Sequence, residues 1–306
     1  MPGLKELRIR IGTIKSTQKI TSAMKMVAAA RLRKAQQLLT TSLPYSHNLL
    51  QSASRVLQEL KYEESKKGIT YIYPKLMQKP AKEETALLLL FSSDRGLCGG
   101  FNAYAYKVAA ARIEELQAQG KKVKVIAIGR KARDLLKRKY RENIIDSIEG
   151  FARRGADYRE ASALCDHLLE MYRNKEMDFC EVVTSRFVSA ITREVKSKRI
   201  LPLDIETFPY LQENPVSPLL GSAFYGYEPD KMEMLETLLT LIFKMEIFQA
   251  SAHSSASEEG ARMTSMDSAT RNARDMISKL TLKYNGIRQS AITKELIEII
   301  SGAEAL

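Results

Sequence analysis

Apolar and small residues return every three or four positions along the last quarter of the chain. The stretch from Asp230 to Leu306 contains no proline, and its spacing is broken by polar residues only twice, near the middle. This spacing is the period of an α-helix. It predicts one helix over residues 230–306, which at 1.5 Å per residue would extend roughly 115 Å. Such a helix must pair with another long helix and with other chains, because its own protein could not enclose it.

The first 60 residues show the same period. Apolar residues from Leu4 onward run at helical spacing, directly after Pro2, which stands where a first-turn proline is tolerated. The pattern predicts an N-terminal helix over residues 1–60. Pro44 lies inside it and predicts a kink, because proline cannot donate a backbone hydrogen bond.

Small side chains suggest how the two terminal helices pair. Residues 28–30 are alanine, and residues 250–257 are alanine or serine except for His253. If these thin patches face each other in an antiparallel coiled coil, the numbers of paired residues sum to about 285. The end of the second helix would then extend past the first. It carries more apolar surface than a solvated helix should show, which predicts a surrounding partner: Ile292, Leu296, Ile297, Ile299 and Ile300.

The middle of the chain has a different pattern. Apolar runs predict strands at residues 85–91, 122–128, 143–148 and 179–188, with helices at 107–119, 130–140 and 157–175. Strands that alternate with helices indicate a mostly parallel sheet covered on both faces. The fold class is therefore α/β with long helical arms. Residues 61–84 are predicted as a connector and 85–229 as the α/β domain, with 191–229 as its extended return.

The charge is concentrated in one element. The net charge is +12, and residues 1–43 carry nine basic side chains against Glu6 alone. A basic amphipathic opening is also typical of a transit peptide, or of an arm for nucleic acid or anionic lipid. The apolar stripe continues without a cleavage-like break, and no aromatic residues interleave the charges, so these alternatives are weaker. The longest apolar run, Ala86–Phe91, is too short to span a bilayer.

Few residues offer chemistry. The turn from Ser93 to Gly100 follows the first strand, where open α/β sheets bind phosphates, but it matches neither GxGxxG nor a Walker A motif. The simpler interpretation is a tight turn in which Asp94 holds a basic side chain. The three histidines are far apart and predict surface or satisfied helix residues, and the three cysteines form no CxxC pair. We therefore expect no catalytic residue, no metal site and no cofactor.

Three motifs together resemble the γ subunit of the rotary ATP synthase. They are TQKITSAMKMVAAARLRKAQ at residues 17–36, SSDRGLCGG at 92–100, and the tail at 252–306 with EEGARMTSM and RQSAITKELIEIISGA. The resemblance implies a central stalk, formed by an antiparallel coiled coil of the terminal helices and a Rossmann-like domain that binds no nucleotide. It implies α and β subunits around the coil, with the ε subunit and a membrane-embedded ring of c subunits at the foot.

The same resemblance implies roles for single residues. The positions that bind the β-subunit catch loop are matched by Arg288, Gln289 and Thr293, with Glu295 nearby. The coupling region that faces an acidic β-subunit loop is matched by Met24, Glu258 and Arg262, and Lys25 suits that loop electrostatically. The contact with the c ring is matched by Tyr227 and Glu228. An ordinary i,i+4 helix pair remains the alternative for Glu258 and Arg262.

The resemblance implies a non-catalytic subunit that biases catalytic sites on its partners by differential contact. Photosynthetic relatives have an inserted segment with a cysteine pair, which this sequence lacks, so thiol control by that route is not expected. The absence of a recognisable transit peptide favours a bacterial protein, peripheral on the cytoplasmic face of the inner membrane. Two alternatives stay open: a nucleotide-dependent enzyme with coiled-coil arms, and a coiled-coil nucleic-acid adaptor.

Overall fold

The computed structural model describes residues 3–153, 155–213 and 226–304. The chain divides into two compact units. We call residues 1–30 with 262–306 the terminal unit, and residues 31–261 the sheet unit. Helix α1 (Leu4–Lys67) and helix α6 (Lys231–Glu304) contribute residues to both.

Both terminal helices form as the apolar spacing predicts. Helix α1 continues through Pro44 and ends at Lys67, so the first seven residues of the predicted connector are helical. Asp230 caps α6, because its carboxylate accepts hydrogen bonds from the backbone N–H groups of Met232 and Glu233 at 2.7 and 2.9 Å. This cap confirms where the last helix was predicted to start.

Five strands form one mixed sheet in the order β3-β2-β1-β4-β5. They are β1 (Thr85–Phe91), β2 (Lys122–Ile128), β3 (Ile144–Ile148), β4 (Phe179–Phe187) and β5 (Arg193–Leu201). The first four pair in parallel, and β5 pairs antiparallel with β4. The prediction of a mostly parallel sheet is confirmed. The prediction that residues 191–229 form only an extended return is wrong, because they contain β5 and the short helix α5 (Pro209–Glu213).

Three further helices connect the strands: α2 (Phe101–Ala118), α3 (Arg130–Leu136) and α4 (Tyr158–Arg173). Helix α2 starts six residues before its predicted start, and its first residue, Phe101, is fully buried. The N-cap of α4 is Asp157, as predicted. The capping box is wrong in its second half, because Glu160 accepts a hydrogen bond from the N–H of Ala152 and not from the N-cap residue.

Helices cover both faces of the sheet. Leu88 and Leu90 of β1 pack with α2 and α3, whereas Leu87 and Leu89 pack with α4 and with the parts of α1 and α6 that belong to the sheet unit. The alternation follows from the pleat, which sends successive side chains of a strand to opposite faces. A strand covered on both faces is apolar at nearly every position, as in the TALLLLF sequence of β1.

The two terminal helices pair antiparallel, as predicted, but in a different register. In the terminal unit, Lys25 binds Asp267 at 2.6 Å and Thr21 binds Thr270 at 2.8 Å. In the sheet unit, Arg31 binds Glu259 at 3.5 Å and Lys231 binds Glu59 at 2.9 Å. The paired numbers sum to between 290 and 292. The predicted sum of about 285 is therefore wrong, because polar pairs and not the alanine patches alone fix the alignment.

Candidate functional site

The turn after β1 is closed by its own side chains. The Asp94 carboxylate accepts hydrogen bonds from the backbone N–H groups of Arg130 at 3.0 Å and Gly150 at 2.9 Å. These groups lie at the carboxyl ends of neighbouring strands, where an open α/β sheet would hold a phosphate. Asp94 also holds a basic side chain, as predicted, because the Arg130 guanidinium donates to the backbone carbonyl of Asp94 at 3.1 Å. The internal carboxylate satisfies donors that an anionic ligand would otherwise use.

A small polar cluster stiffens the same turn. The side chain of Asn102 donates to Ser93 Oγ at 2.8 Å and to Cys98 Sγ at 3.2 Å. Cys98 is buried, and it packs with Phe101 and with Ala261 of α6. Burial raises the pKa of the other two thiols, Cys165 and Cys180, far above the usual range, so they stay protonated and inert. Among the described residues, no three metal-ligating side chains come together.

Two of the predicted coupling residues lie side by side on α1 in the terminal unit. Met24 is half-buried, and Lys25 forms the ion pair with Asp267. The hydrogen bond from Lys25 is the main cause that lowers the pKa of Asp267, and Arg271 adds to it. Lys25 therefore already has an internal counter-ion, and an acidic partner would have to share Lys25 with Asp267.

The other two coupling residues lie on α6. Arg262, in the terminal unit, is buried at 8% exposure, and Glu258, in the sheet unit, is half-buried. A buried guanidinium is costly unless charged or polar groups surround it. The burial of Arg262 therefore requires polar or charged groups around its guanidinium.

The four predicted catch residues are all exposed on α6 in the terminal unit. At about 100° per residue, Arg288 and Glu295 project to one side of the helix, and Gln289 and Thr293 project to the neighbouring side. The hydroxyl of Thr293 donates to the backbone carbonyl of Gln289 at 3.0 Å, so its lone pairs remain available to a partner.

Apolar side chains lie between these two polar sides. Ile292 is 51% exposed and Leu296 is 54% exposed. Every described side chain from Arg288 to Ser301 is exposed. This part of α6 offers a mixed polar and apolar surface of the kind found at protein interfaces.

The predicted c-ring residues differ in their surroundings. The hydroxyl of Tyr227 donates to Glu59 at 2.6 Å, and Lys231 lies over the Tyr227 ring. Glu228 is exposed. The structure thus holds Tyr227 within the sheet unit and presents Glu228 to the surface.

Sequence reasoning missed the network behind Tyr227. Lys231 binds Glu59 and also Glu63, at 3.4 Å, and Tyr71 of the connector donates to Glu63 at 2.7 Å. Hydrogen bonds from Lys67 and Tyr71 lower the pKa of Glu63 to about 2, with a smaller contribution from Lys231. The i,i+4 spacings of Glu59 with Glu63 and of Glu63 with Lys67 are local signals, but they do not reveal Lys231 or Tyr71.

The histidine prediction fails for one of the three residues. His253 is largely buried on α6, and its Nδ1 atom has no hydrogen-bond partner within the described residues. Burial is the main cause that lowers its pKa to about 4, and Arg186 and Lys198 lower it further. His253 is neutral at pH 7, and it is neither a surface residue nor a satisfied one.

Comparison with known proteins decides the family. The sequence model of the ATP synthase family matches residues 3–306. The ATP synthase gamma chain of Rhodospirillum rubrum is 43% identical over 306 residues, which cover all of both chains. That of Beijerinckia indica is 42% identical over the same full length. The chain belongs to the ATP synthase gamma chain family.

Solved structures show the same fold at low sequence identity. A chain from the OSCP/F1/c-ring assembly of the Euglena gracilis mitochondrial ATP synthase is 17% identical, with a TM-score of 0.61 over 99% of this chain and 94% of that one. A chain from the central stalk and c ring of the Tetrahymena thermophila enzyme is 22% identical, with a TM-score of 0.56 over 82% of this chain and 99% of that one. This chain therefore shares its fold with a chain of each of these two assemblies.

No helix within residues 3–153, 155–213 and 226–304 has both the length and the apolar character of a membrane span.

Proposed function

We propose that this chain is the central rotor shaft of a proton- or sodium-translocating ATP synthase. It transmits rotation of a membrane c ring to the catalytic sites of surrounding α and β subunits, and it catalyses no reaction itself. The observation that carries the proposal is the gamma chain relationship along the entire length. The antiparallel contact of α1 and α6 in the terminal unit supports it, since a shaft needs two helices held in fixed register.

The rotor role requires contacts that differ between otherwise equivalent partner sites. A ligand or partner shifts a two-state site only by its differential affinity, and a change from 1:99 to 99:1 needs about 5.5 kcal/mol. Charge-assisted hydrogen bonds contribute about 1.5–3 kcal/mol each, so a few of them suffice. We assign such contacts to the catch residues, to the coupling residues and, at the foot, to Tyr227 and Glu228.

The nucleotide-enzyme alternative is not favoured by the turn after β1. Asp94 satisfies backbone donors at the strand ends, and a second negative group beside it would be repelled. The nucleic-acid alternative has no specific support beyond the basic start of α1, part of whose charge is paired with α6.

The proposed organisation of the chain accompanies the rotor role. We propose that residues 1–60 and 230–306 form the helices of the coiled coil, residues 61–84 the connector and residues 85–229 the α/β domain. We place the chain on the cytoplasmic face of a bacterial inner membrane.

The native mass of the complex purified through this chain tests the role. We expect one copy among three α and three β subunits, together with an ε subunit, and ATP-driven rotation when the lone chain is added to α and β subunits. Catalytic turnover by the lone chain, or a complex that lacks α and β subunits, would contradict the proposal.

The catch assignment has its own test. Arg288→Ala with Thr293→Ala should leave the fold intact, because both side chains are exposed. It should lower ATP-driven rotation and coupling, because the proposal assigns both side chains to the β-subunit catch loop. Lys283→Ala with Ser290→Ala removes a similar cation and hydroxyl from the side of α6 that points away from Ile292 and Leu296, and it serves as control. If the two double variants behaved alike, the catch loop would not bind Arg288 and Thr293.

A further inference from the structure

Lys231 ties the start of α6 to the end of α1. Its ammonium nitrogen lies 2.9 Å from Glu59 Oε2 and 3.4 Å from Glu63 Oε1, two carboxylates on successive turns of α1. The hydroxyl of Tyr227 donates to the other oxygen of Glu59 at 2.6 Å, and the centre of the Tyr227 ring lies 5.4 Å from the lysine nitrogen. We call Lys231, Glu59, Glu63 and Tyr227, together with Tyr71 of the connector, the Lys231 cluster.

Lys231 balances two like charges on α1. Glu59 and Glu63 are four residues apart, and like charges at this spacing destabilise a helix. Partial burial opposes the charge of Lys231, but the bond to Glu59 and the nearby charge of Glu63 raise its pKa overall, so the lysine stays charged. A neutral side chain at this position would leave the two carboxylates to repel each other, and it would remove the cation from the face of the Tyr227 ring.

Tyr71 sets the orientation of the Glu63 carboxylate. Its hydroxyl donates to Glu63 Oε2 at 2.7 Å, which leaves Oε1 to face Lys67 at 2.9 Å and Lys231 at 3.4 Å. The backbone N–H of Tyr71 also donates to Glu64 at 3.1 Å. The connector is thus bound to the end of α1 at Tyr71, and it helps to aim Glu63 at Lys231.

The Lys231 cluster fixes one end of the short segment that carries Glu228. Tyr227 precedes Glu228 and is bound to α1, whereas Asp230 follows two residues later and caps α6. Only Glu228 and Pro229 lie between these two anchored residues, and both are exposed. Because two residues cannot bend far from fixed ends, the direction of Glu228 depends on where Tyr227 is held.

We propose that Lys231 is a positioning residue for the contact between this chain and the c ring. It holds Tyr227 both directly and through Glu59, and the position of Tyr227 sets that of Glu228. The inference rests on the proposed rotor function and names the side chain that orients the contact at the foot. Contact residues that are held in place before binding lose less conformational entropy on binding. Loss of the lysine should therefore weaken the contact between the shaft and the c ring.

Coupling in vesicles that carry the whole complex tests this role through the number of ions pumped per ATP hydrolysed. We expect Lys231→Met to lower this ratio severalfold. Lys231→Arg should restore most of it, because a guanidinium also has enough N–H donors for two carboxylates. Lys244→Met is the control and should keep the normal ratio, since Lys244 lies on the same helix and binds Asp166 of α4 at 2.9 Å, outside the cluster. Equal ratios for the two methionine variants would overturn the proposal, and so would a loss that Lys231→Arg does not relieve.

A milder pair of variants decides the question if the chain with Lys231→Met does not fold. Tyr71→Phe removes only the hydroxyl bond that orients Glu63, and it should lower the ratio by a smaller factor. Tyr73→Phe removes the neighbouring bond to Glu64 at 2.8 Å and should leave the ratio unchanged, because Lys231 binds other carboxylates of α1. Equal ratios for the two phenylalanine variants would then refute the positioning role.

The unmodified complex separates this inference from the rotor function. If it hydrolysed ATP without pumping ions, the rotor function would fail and the positioning role would fail with it. If it pumped normally and Lys231→Met pumped equally well, only the positioning role would fail.

Discussion

Gly260 and Gly286 both lie inside α6, but only one of them touches another element. At Gly260 an added Cβ atom would press on the carbonyl of Ala190, whereas at Gly286 it would meet open space. Alanine is favoured over glycine in a helix by about 1 kcal/mol. We predict that Gly286→Ala gains this amount, while Gly260→Ala gains less or loses stability, because the hairpin between β4 and β5, which contains Ala190, must move by a few tenths of an ångström. Urea unfolding of the two variants compares them directly, and an equal gain would show that the hairpin yields freely.

The carboxyl group of Glu63 makes part of the stability depend on pH. Its pKa is about 2 in the folded chain, below the ordinary value of 4.5. A depressed pKa means that the charged group stabilises the fold fully above the unfolded pKa. That contribution is lost as the pH falls from about 4.5 toward 2. We predict that Glu63→Gln flattens the decline in unfolding free energy over this range.

The decline can be followed by urea unfolding between pH 7 and pH 3. Glu170→Gln, at an exposed position on α4, is the control and should follow the unmodified chain. If Glu63→Gln showed the same acid dependence as the control, the bonds from Lys67 and Tyr71 would not be holding the charge.

At the scale of elements, the register of α1 and α6 is the feature most open to a direct test. The hydroxyls of Thr21 and Thr270 are 2.8 Å apart, so cysteines at these positions are close enough for a disulfide. We predict that Thr21→Cys with Thr270→Cys forms a bond on mild oxidation. Thr21→Cys with Thr264→Cys is the control, since it follows the register that the alanine patches suggested. Mobility on a non-reducing gel reports the bond. Cross-linking of the control alone would support the register in which the paired numbers sum to about 285.

The register shows why sequence could predict the pairing but not its alignment. Alanine and serine patches allow close approach at several offsets, so they do not select one of them. The offset is selected by the specific pairs Lys25 with Asp267 and Thr21 with Thr270, which are distant in sequence. No local pattern links such residues.

Burial explains which strands the sequence could reveal. Strands β1, β2 and β4 are the most buried strands, and their apolar residues predict each strand to within one residue at either end. Strand β5, with the sequence REVKSKRIL, is at the sheet edge, and only its last two residues are buried. Its charged residues are typical of protected edges, and they hid the strand from a search for apolar runs.

At the scale of the whole molecule, the candidate site could be placed only through the resemblance of its motifs. Periodicity and charge predict two long paired helices and a surrounding partner, but they do not distinguish Arg288 from any other exposed arginine. The network of Glu59, Glu63 and Lys231 likewise depends on contacts between separate elements. Side chains that act through a partner leave little trace in the local pattern.

The exposed end of α6 provides a test of the whole assembly. Met276, Leu282, Ile297 and Ile299 are between 55% and 71% exposed. Helices without tertiary contacts open readily, because most helical stability in proteins comes from packing. In the lone chain, trypsin should therefore cleave this segment quickly, at Lys279, Lys283, Arg288 and Lys294.

In the complex with α and β subunits, we expect those cleavages to slow severalfold, because the partners would cover the apolar side chains and hold the helix closed. The exposed connector supplies the internal control, since cleavage after Lys75 and Lys82 should proceed at the same rate in the lone chain and in the complex. Peptide mass mapping over time measures both segments in one digest. Equal cleavage of the α6 end in the two samples would mean that the partners leave this surface uncovered, and the apolar residues there would need another explanation.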